Sequence, residues 1–224
     1  MSTNLNQIDW SQIRLVIFDV DGTLYDQSKM RRKMLIELCK YYMIRPWKIR
    51  EFLLLKQFRD QRDKLAFEEN QNIAVAQFQL SENSTTPENV MNIVDKWMRQ
   101  KPLEYIREFR FKESISLFNL MTQRGIEVAV LSDFHPAEKL AAMGHECANI
   151  YSSESKEINV LKPHPKGILH VLNDLKVSRK NAVYIGDREE TDGEASNRAG
   201  IPFINVRQGA DQIYSSIQEQ IANG

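Results

Sequence analysis

Five aspartates, a serine and a lysine in this chain stand where side chains of distant segments can meet. Asp19 and Asp21 belong to Asp19-Val20-Asp21-Gly22-Thr23, directly after the apolar run Leu15-Val16-Ile17-Phe18, which reads as a buried parallel strand. Side chains alternate along extended backbone, so the two carboxylates point roughly the same way. They do so at the carboxyl end of a strand, where open α/β sheets take their ligands. Two like charges that close cost energy unless a cation or a shared proton relieves them. Gly22 lets the chain turn there, because a residue without Cβ takes positive φ freely. Downstream, Ser132-Asp133 closes a second apolar run, Gly186-Asp187 closes a third, Asp192 follows five residues after Asp187, and Lys162 lies in Leu161-Lys162-Pro163 before a helical pattern. Each has a plain structural explanation alone: aspartate and serine at strand ends serve as turn and helix-cap residues, and a loop lysine is usually solvated. Their joint occurrence, in this order and at strand ends, favours an assembled functional site.

The elements that must position these residues follow from periodicity. After the first strand, Met30, Met34, Leu35 and Leu38 recur at helical spacing, with Ser28 as the expected N-cap. Pro46 interrupts this helix and opens a second one running through Phe52, Leu55 and Phe58 toward residue 69. Residues 70–80 read as helical, 81–86 as a polar loop, and Thr86-Pro87-Glu88 as a further helix start, with Val90, Met91, Val94, Trp97 and Met98 on one face as cap core. From there the texture changes to strand and helix in alternation: helices over 112–124, 136–143, 165–175 and 191–199, and strands over 126–131, 149–152, 182–185 and 203–206. Gly125, Gly144 and Gly200 stand at helix ends. A tail with Ile213, Tyr214 and Ile217 reads as a last helix. Short connections between alternating elements predict a Rossmann-like three-layer α/β/α core with a parallel sheet. The helical block interrupts that pattern right after the first strand, so it is expected to be an inserted all-helical cap: residues 27–106, with 1–26 and 107–224 forming the core.

Bulk composition narrows the class without naming a reaction. The 224 residues suit one large domain or a domain with an insertion, and 42% hydrophobic with 27% charged residues is ordinary for a globular protein. Formal net charge is zero, so no global bias toward nucleic acid or membrane is expected. Cys39 and Cys147 fit neither a disulfide framework nor zinc-ligand spacing, and are expected to be reduced packing residues of a cytoplasmic protein. The first ten residues are polar and show no signal-like segment, and no run approaches membrane-spanning length.

Taken together, Asp19-Val20-Asp21-Gly22-Thr23-Leu24, Leu131-Ser132-Asp133, Lys162-Pro163 and the GDxxxxD pattern from Gly186-Asp187 to Asp192 resemble the four signature motifs of the haloacid dehalogenase (HAD) superfamily of phosphatases and phosphotransferases. The cap position resembles the type-one helical cap of its phosphoglycolate-phosphatase-like members. The resemblance implies a Mg²⁺-dependent phosphatase acting on a small phosphorylated metabolite through an aspartyl-phosphate intermediate. In that scheme Asp19 is the nucleophile, and Asp21 is the acid for the leaving alcohol and then the base for water. Asp19, Asp187 and the Asp21 main-chain carbonyl would hold Mg²⁺, an ion suited by oxygen ligands. Ser132 and Lys162 would bind the phosphoryl oxygens, with Asp133 beside them, and Gly22, Thr23 and Asp192 would support, Asp192 by orienting Lys162 or the metal shell. An aspartate at position 21 favours phosphate esters over dehalogenation, which needs no acid for a leaving alcohol. A phosphomutase of a sugar phosphate and a catalytically idle binding protein are the alternative readings.

Between positions 29 and 64 twelve lysines and arginines face four acidic residues, a local surplus of eight positive charges. A solvated basic helix face is the plain reading; the sharper one places Lys29, Arg31 and Arg32, nearest the catalytic loop, as binders of an anionic substrate. Docking of an acidic partner is the third. His135 and His164 are read as cleft-rim residues and His170 as helix surface. The partner expectation is a small metabolite, no nucleic acid, no membrane, and a monomer or homodimer.

Overall fold

The computed structural model describes residues 3–67 and 87–223. Five parallel strands form one sheet in the order β3-β2-β1-β4-β5: β1 Leu15–Phe18, β2 Glu127–Ser132, β3 Asn149–Ser152, β4 Ala182–Gly186 and β5 Phe203–Asn205. β1 lies at the centre, with Phe18 level with Val130 of β2 and with Ile185 of β4. Residues that follow Phe18 therefore emerge beside the ends of both neighbours, and the Asp19 N–H donates to the Ile185 carbonyl at 2.9 Å.

Alternation builds the layers. Val16, Phe18, Val128, Val130, Val183 and Ile185 enter one core cluster, and Leu15, Ile17, Ala129, Leu131, Ala182 and Tyr184 enter the other. Successive residues of each central strand thus serve opposite faces, both buried, which is why these strands read as unbroken apolar runs. Helices α4 (Lys112–Gln123) and α8 (Ala210–Asn223) close the first face, through Leu117, Phe118, Tyr214 and Ile217. Helices α6 (Lys166–Asp174) and α7 (Glu194–Ala199) close the second, through Ile168, Val171 and Ala195. α5 (Ala137–Met143) ends at Gly144, whose φ of 82° is the left-handed conformation of a C-terminal glycine.

The inserted block is helical: α1 Gln27–Ile44, a 3₁₀ turn at Pro46–Lys48, α2 Ile49–Leu65, and α3 Pro87–Val94, which continues as a wide π-type turn to Gln100. Val90, Val94 and Trp97 are buried, and Met91 and Met98 pack against them. Met30, Met34, Leu54 and Phe58 join the same cluster as the sheet face, so cap and core share one continuous apolar interior.

Four local expectations are corrected. The N-cap of α1 is Asp26, not Ser28: its carboxylate accepts the Lys29 N–H at 2.9 Å. Pro46 opens a 3₁₀ turn, and α2 begins at Ile49. The helix expected over 191–199 is split into a π-type turn, Glu189–Gly193, and α7; the wider turn accompanies an Asp192 side chain committed to other partners. Cys39 is exposed, whereas Cys147 is half-buried. The helix read over 70–80 and the loop read over 81–86 lie outside the described residues.

Candidate active site

The sheet brings three strand ends and one loop together. Asp19 leaves β1, Ser132 ends β2, and Asp187 follows β4, while the loop before α6 carries Lys162. Asp19, Asp187 and Asp192 each present a carboxylate oxygen within 4.8 Å of the others. The Lys162 ammonium is buried among them, donating to Asp19 Oδ1 at 2.5 Å, to Asp192 Oδ1 at 2.6 Å and to the Tyr184 hydroxyl at 3.2 Å. Thr23 Oγ1 donates to the other Asp19 oxygen at 3.2 Å.

Asp192 meets Lys162. One oxygen takes Lys162 and the other accepts the Arg188 N–H at 3.1 Å, so it orients the lysine. Asp187 is different: its Oδ1 is buried and has no hydrogen-bond partner. An orphaned buried carboxylate oxygen is costly, and here it faces a second carboxylate.

The charge balance sharpens this. Three carboxylates share the pocket with one ammonium, which leaves two negative charges uncompensated. Burial, followed by the Asp192 charge, pushes the Asp187 carboxyl up to about 6. Burial also raises Asp19 well above the usual range, the Lys162 charge opposing and the neighbouring carboxylates reinforcing it. Lys162 moves up as well, because Asp19 and Asp192 outweigh the burial that opposes its charge. Hard oxygen donors with an unmet negative charge fit a small divalent cation such as Mg²⁺, which Asp19 and Asp187 could hold.

Two glycines are dictated by close approach. A Cβ on Gly22, whose φ is 95°, would stand 2.3 Å from Asp187 Oδ2, and one on Gly186 would stand 2.7 Å from the Asp192 carboxyl. Only residues without side chains let Asp187 come this near the β1 turn and Asp192 this near the end of β4.

Asp21 sits outside the triad, largely buried, and its Oδ1 accepts from Lys139 Nζ at 2.5 Å and from the Tyr25 hydroxyl. Burial opposes its charge, but Lys139 and the two hydrogen bonds win and hold the carboxyl below its ordinary value. Ser132 is buried, and its Oγ accepts the Phe134 N–H at 3.4 Å. The Asp133 carboxylate accepts from Ser153 Oγ at 2.9 Å and from the Lys162 N–H at 3.3 Å, so it fixes the Lys162 loop.

The cap residues brought to the core differ from those anticipated. Lys29 pairs with Asp26 at 3.2 Å at the surface, and Arg31 and Arg32 are exposed. Arg62 of α2 is instead buried over the loop after β2: it donates to the Asp133 carbonyl, pairs with Glu154 at 2.9 Å and stacks on Phe134 at 3.9 Å. Arg99 reaches the same Glu154 at 3.3 Å. His135 is exposed and lies 3.6 Å from Glu154; His164 is exposed, and its Nδ1 accepts the Lys166 N–H at 3.1 Å; His170 meets the edge of the Tyr151 ring. Lys139, Tyr25, Tyr184 and Arg62 escaped the sequence reading. Arg62 stood unmarked among twelve basic residues, and nothing in the sequence says which face of α5 Lys139 occupies.

Comparison with known proteins agrees with this geometry. The family described as "Haloacid dehalogenase-like hydrolase" matches residues 16–206. A glyceraldehyde 3-phosphate phosphatase of Methanopyrus kandleri is 41% identical over 58 residues, a stretch that covers 26% of this chain and only 25% of that protein. Among solved structures, a 2-haloacid dehalogenase from Pseudomonas syringae pv. Tomato superposes with a TM-score of 0.66 at 17% identity, over 94% of this chain and 99% of that one. A HAD phosphatase from Thermococcus onnurineus gives 0.60 at 16% identity, over 88% and 87%, and a β-phosphoglucomutase from Clostridium difficile gives 0.59 at 18%, over 94% and 98%. The structural likenesses establish the fold, and the family match spans every motif described above: the chain belongs to the haloacid dehalogenase-like hydrolases.

Proposed function

We propose that this hydrolase is a Mg²⁺-dependent phosphatase of a small phosphomonoester, working through an aspartyl phosphate on Asp19. The observation that carries the reading is the buried charge imbalance: three carboxylates against one ammonium, with the Asp187 oxygen left unpartnered. Asp19 and Asp187, with the Asp21 carbonyl, would hold the ion. When bound, it supplies charge neutralisation between an anionic nucleophile and an anionic substrate.

This chain's residues do the rest. Asp19 attacks phosphorus, forming the Asp19 Oδ–P bond as the ester P–O bond breaks. Lys162, locked by Asp192, and Ser132 take the charge that grows on the equatorial oxygens. Asp21 is the acid and base: once released from Lys139 and Tyr25 and protonated, it would pass that proton to the leaving oxygen, and the carboxylate so formed would remove one from the water that opens the acyl phosphate. Asp21 also weighs against the dehalogenase reading, since displacing halide requires no proton donor. A cap over 27–106, on a core of 1–26 and 107–224, shields the site, and Arg62 through Glu154 and the Asp133 carbonyl ties the two together.

Turnover of p-nitrophenyl phosphate with Mg²⁺ and with chelator tests the reading. Activity should require the metal and vanish in Asp19→Asn and in Asp21→Asn, with folding little changed. Halide release from a 2-haloacid with no phosphatase turnover would replace this assignment by the other chemistry.

A further inference from the structure

The far end of the α1–α2 hairpin carries a surface that the phosphoryl site does not use. The turn reads Met43-Ile44-Arg45-Pro46-Trp47-Lys48-Ile49-Arg50. Its apolar side chains stand out in solvent: Met43 is 82% exposed, Trp47 73%, Ile44 71% and Ile49 51%. α1 has 18 residues, so a rise of 1.5 Å per residue puts the turn roughly 27 Å from Asp26, well away from the cleft.

Cations interleave with these groups. Lys48 pairs with Glu51 at 3.2 Å. Arg45 lies over the Tyr41 ring, and among the described residues no carboxylate pairs with Arg45 or Arg50. Between 43 and 51 three cations, Arg45, Lys48 and Arg50, face one acid, Glu51, so the turn carries a surplus of two positive charges.

Exposed large apolar groups clustered in this way mark a contact surface. The four side chains stand exposed at the turn between α1 and α2, so a protein partner would need a matching cavity. A second copy of this chain would bring the same cations against these cations. An anionic bilayer meets both conditions. Its interface accepts tryptophan, methionine and isoleucine without a shaped pocket, and its head groups attract the interleaved arginines. No helix among the described residues is long and apolar enough to cross a membrane, so the contact is peripheral. We propose that the α1–α2 turn docks this protein on an anionic lipid surface through Met43, Ile44, Trp47 and Ile49, with Arg45 and Arg50 on the head groups.

The tryptophans supply the readout. Of the three, Trp10 and Trp97 are buried at 7% and 5% exposure, so a change in exposed emission reports Trp47. With the full-length chain, phosphatidylcholine vesicles containing phosphatidylglycerol should shift the emission to the blue and carry the protein down on sedimentation. Pure phosphatidylcholine should do neither, and salt of about 1 M, where the screening length falls to roughly 3 Å, should release the protein. The pairs Met43→Ser with Trp47→Ser, and Arg45→Glu with Arg50→Glu, should each weaken partition by ~10-fold or more, the second read by sedimentation and by the Trp47 shift. Both pairs alter exposed positions, and an unchanged far-ultraviolet dichroism spectrum shows them folded. No shift and no sedimentation with anionic vesicles overturns the proposal, as does unaltered binding by either pair. A Trp47 shift that grows with protein concentration in the absence of vesicles assigns the surface to self-association instead. A shift with poly-L-glutamate but not with vesicles assigns it to an acidic protein.

Discussion

Asp19 and Asp21 are two residues apart and live in opposite electrostatic surroundings. Asp19 is buried with two other carboxylates and one lysine, which raises its carboxyl; Asp21 is clasped by Lys139 and Tyr25, which lowers its own despite burial. Paired acids divide nucleophilic and proton-transfer roles when their environments separate them; the nucleophile must be ionised, so a cation beside Asp19 and Asp187 would have to bring the Asp19 carboxyl back down. The Asp19–Asp187 approach depends on Gly22. Gly22→Ala would set a Cβ 2.3 Å from Asp187 Oδ2 at a φ of 95°, so it should cost about 1–3 kcal/mol of stability and lower turnover by ~100-fold as Asp187 is displaced. Gly125→Ala is the control: φ is 71° but nothing lies within 4 Å, so a loss of about 1–2 kcal/mol with unchanged turnover is expected. Urea midpoints and kcat of both variants check this, and equal effects on kcat would remove the close-approach argument. Asp19, Asp21, Ser132 and Asp187 were legible because apolar runs place them at strand ends, and Lys162 and Asp192 because they complete the motif set. Lys139 was not, because its role depends on how α5 is rolled against the β1 turn.

Between elements, two polar ties hold the core's first face and the cap. Ser114, in the first turn of α4, donates its hydroxyl to the Phe111 carbonyl at 2.7 Å, so its oxygen accepts Nε2–H of His145, 2.8 Å away just after α5. Nδ1 of His145 is buried without a partner. Burial, followed by the Arg110 charge, lowers this imidazole to about 4. A group depressed below its unfolded value of about 6.5 binds fewer protons when folded, so it stabilises the fold less and less as pH drops from 6.5 to 4. The difference amounts to at most about 3 kcal/mol. His145→Gln should therefore flatten the loss of stability between neutral and acid pH, read from urea midpoints; parallel pH dependences for the two proteins would count against it. The second tie, Arg62 and Arg99 on Glu154, joins α2 and the turn after α3 to the loop after β3. The helices themselves were legible from their periodicity. The basic residue that clasps the core was not, because helical spacing alone offers several cationic faces.

At the scale of the molecule, the active site is a charge deficit enclosed by the sheet ends. A carboxyl raised to about 6 takes up protons on folding between its unfolded value of about 4 and 6, so its contribution to metal-free stability falls as pH rises through that window. A divalent cation removes this penalty only when Asp187 is ionised. Mg²⁺ should thus raise Tm more at about pH 7.5 than at about pH 5; calorimetry with Mg²⁺ and with chelator measures it, and an equal shift at both pH values would contradict the assignment of Asp187. The same chain carries a local surplus of eight positive charges on 29–64 inside a net charge of zero. Whole-chain composition could not reveal this, because it averages over position.

The sequence by itself determined the sheet and the strand-end residues. Unbroken apolar runs alternating with helical periods admit few arrangements other than a parallel sheet, and each run delivers its next polar residue to one edge. Only tertiary structure decided which charges meet. Asp192 on Lys162, Lys139 on Asp21, Arg62 on the Asp133 carbonyl and the exposure of Trp47 all depend on how helices are rolled and how closely backbones approach, and these are set by packing between segments far apart in the chain.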